Sequence, residues 1–234
     1  MKLSDIMRVK MGLEPTEPIK HEPINDETRR YFEKLKQVKE FIPKDYLTLL
    51  KDFQQVYEAQ NGRMYQSEQE TILNDIIRYF ANDITFIANG KKRSFKKGLM
   101  LYGNYGTGKT TIIRALRECL DINNRYGFNS CTKIVGLFND QGSDVIRRFA
   151  NYKDFYFDDF GSEPEGSHYG KVNVMEKILE ERYLSFQKKG IKTHISTNLS
   201  FEQIEQRYGQ RIGSRLYEMF NVIVFNGQDY RKTL

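Results

Sequence analysis

The 234-residue sequence has only two cysteines, Cys119 and Cys131, with neither metal-ligand spacing nor further cysteines to form a framework. A disulfide scaffold and a cysteine zinc site are excluded, and both residues read as core or helix-surface positions in a reducing compartment. Proline is scarce as well. Three of the five prolines, Pro15, Pro18 and Pro23, fall before residue 25 and mark that stretch as extended. No run approaches the ~18 consecutive apolar residues of a membrane span. The opening Met1-Lys2-Leu3-Ser4-Asp5-Ile6 does not begin a signal peptide. A membrane-spanning class is excluded and a cytoplasmic location is expected. His168 and His194 have no companion ligands and read as ordinary loop and strand residues.

What is present is ordinary globular composition, 39% hydrophobic and 29% charged, in a chain long enough for one substantial core plus a small N-terminal piece. A net charge of +6 leaves an acidic partner such as nucleic acid open without deciding for one.

Apolar residues at helical spacing predict a helix from Asp26 to Val38, ended by Pro43, and a second over Tyr46, Leu47, Leu50, Phe53, Val56 and Tyr57, stopped by Asn61-Gly62. A domain boundary is placed there, giving a helical region 1–62 and a larger domain 63–234. A third helix is expected from Ser67 to Phe80, with a capping box at Ser67-Glu68-Gln69-Glu70. Lys91, Lys92, Arg93, Lys96 and Lys97 precede the apolar strand Gly98-Leu99-Met100-Leu101-Tyr102. Further strands are expected at residues 133–138, 155–157, 191–197 and 222–225, with helical patterns between most of them. Such alternation implies an α/β fold with a parallel sheet covered by helices on both faces.

The first strand runs directly into Gly103-Asn104-Tyr105-Gly106-Thr107-Gly108-Lys109-Thr110, followed by Thr111 and a helical pattern. In such a loop, glycines let consecutive backbone N–H groups turn toward one anion. Lys109 reaches the terminal phosphates, and the Thr110 hydroxyl ligates magnesium at the helix N-terminus. Strand, loop and helix in this order predict binding of ATP with Mg2+ by residues 103–111. A glycine turn that binds nothing is the competing reading.

The apolar segment Phe155-Tyr156-Phe157 ends in Asp158 and Asp159. Beside a phosphate loop, the first carboxylate is read as holding the magnesium shell and the second as polarising water. Alone, the pair would read as acidic turn residues. The strand ending in Ser196-Thr197-Asn198 offers Asn198 either to orient the attacking water or to begin the helix at Phe201. Arg211 and Arg215, four apart, share a helix face from which they could reach a γ-phosphate across a subunit boundary. Exposed arginines with no such task are the commoner case. The helical pattern from Val172 to Phe186 reads as core packing.

Taken together, Lys97 to Gly103 leading into the loop, Asp158-Asp159-Phe160-Gly161, Ser196-Thr197-Asn198 and Gly209-Gln210-Arg211-Ile212-Gly213-Ser214-Arg215-Leu216 resemble the DnaC/DnaI helicase loaders and their IstB relatives. The likeness spans residues 63 to 234. It implies an AAA+ core in which Asn198 is sensor 1, Arg215 the arginine finger with Arg211 as the weaker candidate, and Arg231 sensor 2. It further implies ATP-driven self-association, single-stranded DNA gripped near Arg147 and Arg148, and a DnaB-type replicative helicase as partner of the N-terminal region. That region lacks the cysteine and histidine cluster of the zinc-bearing loaders and is similar to the purely helical type. Asp159 stands where many members have Glu, so hydrolysis depends on the shorter side chain serving. A transposition helper of the IstB kind and a small-molecule P-loop kinase are the alternative readings.

Overall fold

The computed structural model describes residues 44–65, 69–88, 93–168, 170–227 and 229–232. The chain divides into two compact units, Met1–Ile42 and Pro43–Leu234, and every described residue belongs to the second. The helix expected at 26–38, the proline-bearing stretch before it, and Ser67, Glu68, Lys91 and Lys92 lie outside the described residues.

Helix α1 (Tyr46–Asn61) starts where the Asp45 carboxylate accepts the Thr48 N–H at 3.0 Å and stops at Gly62, whose φ of 66° is left-handed. Leu49, Phe53 and Tyr57, spaced by four, are buried in one cluster with α2 (Glu70–Phe80) and α3 (Lys109–Cys119). The boundary expected at residue 62 therefore falls inside the compact unit. The apolar face of α1 leaves water only by packing on the core of the larger domain. Lys44 fastens the start of α1, its Nζ donating to Asp52 at 2.7 Å and to the Cys119 carbonyl at the end of α3 at 2.9 Å. Helix α2 begins at Glu70, and Gln69 before it makes no side-chain capping bond.

Five strands follow in alternation with helices: β1 (Gly98–Gly103), β2 (Gly127–Ser130), β3 (Phe155–Asp158), β4 (Thr193–Thr197) and β5 (Phe220–Phe225). They form one sheet in the order β2-β3-β4-β1-β5, and every pairing is parallel. The strand expected at 133–138 is instead part of helix α4 (Cys131–Gln141). Its buried residues Cys131, Ile134, Val135 and Phe138 recur at i, i+3, i+4 and i+7, and Ser130 caps it through the Lys133 N–H. The short β2 just before it takes the edge position. Helices α5 (Ser143–Ala150), α6 (Val174–Lys189), α7 (Phe201–Tyr208) and α8 (Gln210–Met219) follow, and a short helix, Thr85–Ala88, and a separate antiparallel pair of two-residue strands, Gly166–Ser167 and Lys171–Val172, are also present.

Period-two alternation sorts the strand residues into two cores. Leu99, Leu101, Tyr156 and Ile223 pack with α1, α2 and α3. Met100, Phe155, Phe157 and Ile195 pack with α4 to α8. The second core is organised around Arg182, which is fully buried and donates to Thr193 Oγ1 and to the carbonyls of Phe149, Tyr152, Lys153 and Lys192. These bonds join the end of α5 to the entries of β3 and β4. Burial pushes the guanidinium down to about 10, still charged at neutral pH. Among the described residues no helix is long and apolar enough to cross a membrane.

His194 on β4 has its Nδ1 3.1 Å from the Leu99 amide and its ring among Tyr79, Phe80 and Tyr126. Accepting that N–H requires an unprotonated Nδ1. Burial, with Lys192 and Arg182 nearby, pushes its pKa down to about 3 from 6.5. The unfolded chain therefore binds the proton first, and stability present above pH 6.5 is lost as the pH falls. Between pH 6.5 and 5 the loss from this residue is about 2 kcal/mol. His194→Gln keeps an acceptor for Leu99 without titrating, so chemical denaturation at the two pH values should show that much less acid sensitivity than in the parent protein. Equal sensitivity in both would remove His194 as the cause.

Candidate nucleotide-binding site

The parallel sheet brings the carboxyl ends of β1, β4 and β3 to one edge, where Gly103, Thr197 and Asp158 end neighbouring strands. Ligands of open α/β sheets bind beyond that edge. After β1 the chain turns through residues 104–108 and enters α3 at Lys109. Gly108 makes this entry with a φ of 86°, and a Cβ there would lie 2.7 Å from Gln69 Nε2. A side chain is disfavoured both by conformation and by space.

Lys109 is buried, with Nζ 2.6 Å from the Gly103 carbonyl, 2.7 Å from that of Asn104 and 3.4 Å from Thr107 Oγ1. Burial lowers its pKa, while Asp159 and Asp158 act to raise it. Thr110 at the first turn of α3 donates its hydroxyl to Asp158 Oδ1 at 2.9 Å. Ser196 on β4 donates to the same oxygen at 2.6 Å, and its own Oγ accepts the Asp159 N–H at 2.9 Å. Burial raises the Asp158 pKa and the adjacent Asp159 adds to the rise, whereas the hydroxyls of Ser196 and Thr110 favour the carboxylate. Asp159 itself is exposed and adopts a left-handed φ of 55°, which turns it off the line of the strand. Such a conformation costs of order 1 kcal/mol in a residue other than glycine.

A cavity of about 320 Å3 opens over the loop. Tyr105, Gly106, Thr107, Gly108, Lys109, Thr110 and Thr111 form its floor, Asp159 one side, and Arg231 with Tyr230 another. Gly103, Asn104 and Asp158 lie behind the floor, bonded to Lys109 or Thr110. Asn198, half-exposed just past the end of β4, does not line the cavity. Arg215 does not line it either. Its side chain is 12% exposed, stacks on Tyr183 at 4.5 Å and lies 3.8 Å from Glu180. Arg211, 74% exposed, reaches the same carboxylate at 3.3 Å. Arg147 and Arg148 are exposed on α5.

The remaining wall was not apparent from sequence: Tyr57 and Asn61 at the end of α1, then Arg63, Met64 and Gln69. Gln69 is buried and donates its Nε2 to the Thr107 carbonyl at 2.7 Å, bracing the loop from outside. Ser196 was readable in principle. Alternation along β4 puts it on the face of His194, and the matching alternation along β3 puts Asp158 on the face of Tyr156, so the two meet on the α3 side of the sheet.

No family model and no curated protein matches the chain. Among solved structures it is similar to DnaI, at 18% identity and a TM-score of 0.49 over 74% of this chain and 93% of that one. It is also similar to the DnaC helicase loader, at 22% identity and a TM-score of 0.46 over 69% and 92%, and to AMPPCP-bound DnaA from Aquifex aeolicus, at 13% and 0.42 over 58% and 42%. The fold class expected from the sequence is the one observed: a parallel sheet between two layers of helices, with the glycine-rich loop leaving a central strand.

The donor set fits a hard cation beside phosphates. A threonine hydroxyl and a carboxylate share one hydrogen bond at the loop, and no group of three or more His, Cys, Asp or Glu side chains suited to a protein-only metal site occurs among the described residues. Two oxygen ligands completed by phosphate and water suit Mg2+. Lys109→Ala should abolish binding of a fluorescent ATP analogue. Gln69→Ala should weaken it about fivefold, the equivalent of about 1 kcal/mol for a lost hydrogen bond. Unchanged affinity in Gln69→Ala would show that the loop stands without its brace.

Proposed function

We propose that the chain is a cytoplasmic ATPase that binds ATP and Mg2+ over residues 103–111, hydrolyses the nucleotide, and uses the cycle to deliver a DnaB-type replicative helicase to single-stranded DNA. The observation that carries the ATPase reading is the convergence of Lys109, Thr110, Asp159 and Arg231 on one cavity above a phosphate-type loop. The loader reading is supported by the set of motifs from Lys97 to Leu216.

In this reading Lys109 exchanges the carbonyls of Gly103 and Asn104 for phosphate oxygens, and the loop N–H groups hold the remaining negative charge. Thr110 and Asp158 would hold Mg2+, which would supply neutralisation of the phosphate charge. Asp159 orients a water and accepts its proton as the water oxygen bonds to the γ-phosphorus. The bond to the bridging oxygen breaks, leaving ADP and phosphate. Asn198 is assigned to the same water from the end of β4. Arg231 meets the phosphates from within the chain.

The charge of a neighbouring subunit's nucleotide is assigned to Arg215, which must leave Tyr183 and Glu180 to reach it. The exposure of Arg211 favours a second reading in which that residue makes the contact. Single alanine substitutions separate the two. The true trans residue should leave ATP affinity within about twofold while lowering assembly-dependent phosphate release about a hundredfold or more. Loss in neither variant would remove the trans arginine from the mechanism.

The helicase contact is assigned to the segment preceding Pro43, since α1 packs with the ATPase core. A chain starting at Pro43 should keep ATP binding and lose helicase capture in a pull-down with purified DnaB-type helicase. Retained capture would place the contact elsewhere. Phosphate release without an added acceptor, stimulated by DNA, separates this function from a small-molecule kinase. Equal binding to a transposase would favour the transposition-helper reading.

A further inference from the structure

Glu163 is a carboxylate that the chemistry above does not use, and it is 3% exposed. Both of its oxygens are committed. Oε2 accepts the Gly161 N–H at 2.9 Å, and Oε1 accepts the Tyr208 hydroxyl. Arg207 donates to the Glu163 carbonyl, with its guanidinium 4.0 Å from Oε1. Burial pushes the Glu163 pKa up, and the hydrogen bonds from Tyr208 and from backbone amides draw it back. Burying an anion is costly, and an apolar side chain of the same size would fill the space at less expense. What the carboxylate adds is direction, because each oxygen fixes one partner.

The two partners lie at functionally separate places. Gly161 belongs to the turn that presents Asp159. That turn has left-handed φ angles at Asp159 (55°) and Gly161 (95°) and is closed by Ser162, whose N–H and hydroxyl both donate to the Asp159 carbonyl. A Cβ at Gly161 would lie 2.3 Å from Leu199 Cδ1, so a side chain there would have to displace Leu199 as well as adopt a left-handed φ. Tyr208 ends α7, and its ring stacks on Phe160 at 4.5 Å and 19°. Gly209 then turns the chain, with a φ of 85°, into α8, which carries Arg211 and Arg215.

We propose that Glu163 and Tyr208 form a positioning pair. Their hydrogen bond fixes the turn that aims Asp159 into the cavity, and it ties that turn to the elbow from which the arginine helix departs. The proposal rests on the ATPase reading above. Neither residue lines the cavity, so the pair acts on the rate of the chemical step through Asp159 and not on nucleotide affinity.

The test uses Tyr208→Phe, which removes the hydroxyl and keeps the stacked ring, and Glu163→Gln, which keeps the size and removes the charge. Both are made in the full chain and examined for ATP turnover, binding of a fluorescent ATP analogue, thermal midpoint, and amide hydrogen exchange at Gly161 and Ser162. The expected result is a fall in kcat of about tenfold in each variant, with KM and nucleotide affinity within about twofold. Exchange should rise at the two turn amides and not in β3. Wild-type turnover in both variants overturns the positioning role, and so does a loss of kcat, affinity and thermal midpoint together, which marks a purely structural pair. Absence of turnover in the unsubstituted protein overturns the ATPase reading and the catalytic part of this proposal with it, and is recognisable because it precedes any substitution.

Discussion

One carboxylate oxygen joins three elements of this fold. Asp158 Oδ1 accepts from Thr110 on α3 and from Ser196 on β4 while itself ending β3. Burial raises the Asp158 pKa, and the two hydroxyls, with the charge of Arg114, act the other way in favour of the carboxylate. Lys109, one residue before Thr110, carries the complementary problem. Its ammonium is penalised by burial and upheld by the charges of Asp159 and Asp158. Each charge is thus held by groups that are in place only when the parallel register of β1, β4 and β3 is correct, and the chemistry of the edge is inseparable from the pairing of the strands.

Around this centre the cavity is assembled from segments far apart in sequence. Tyr57 and Asn61 arrive from the first described helix, Gln69 from just before the second, and Arg231 from beyond the last strand. Tyr230 contributes more than a wall, since its N–H donates to the Gly106 carbonyl at 3.2 Å and seats the C-terminal turn on the loop. The loop is therefore braced from two outer sides, by Gln69 at Thr107 and by Tyr230 at Gly106. Glu163 and Tyr208 supply a comparable brace beneath Asp159.

Those parts that depend on local pattern were legible in the sequence. The glycine-rich loop is marked by the spacing of its glycines ahead of Lys109 and Thr110, the strand before it is a short apolar run, and the paired aspartates end another such run. Four of the five strands of the parallel sheet were readable on that basis. The segment 133–138 reads as a strand because six mostly apolar residues satisfy both periods when viewed alone. Only with Cys131 included does the helical spacing of Cys131, Ile134, Val135 and Phe138 emerge, and it leaves β2 as the unremarked Gly127–Ser130. The place of α1 was hidden for another reason. Gly62 truly ends that helix, but an end of helix is not an end of domain, and nothing local in Leu49 or Phe53 says which surface will cover them. Gln69 and Ser196 stood inside patterns read for other roles and Glu163 stood in none, since what each of the three does is set by a partner 38, 38 and 45 positions away respectively.

The packing of α1 has a mechanical meaning. Lys44 pins the beginning of the helix to the far end of α3, and Tyr57 and Asn61 at its other end stand in the cavity wall, so α1 runs antiparallel to the helix that carries Lys109. Sixteen residues at a rise of 1.5 Å make a strut about 24 Å long. Because Lys44 at one end and the buried Leu49, Phe53 and Tyr57 along its length hold this strut to α3, the pocket wall that Tyr57 and Asn61 supply is fixed to the same core as the floor.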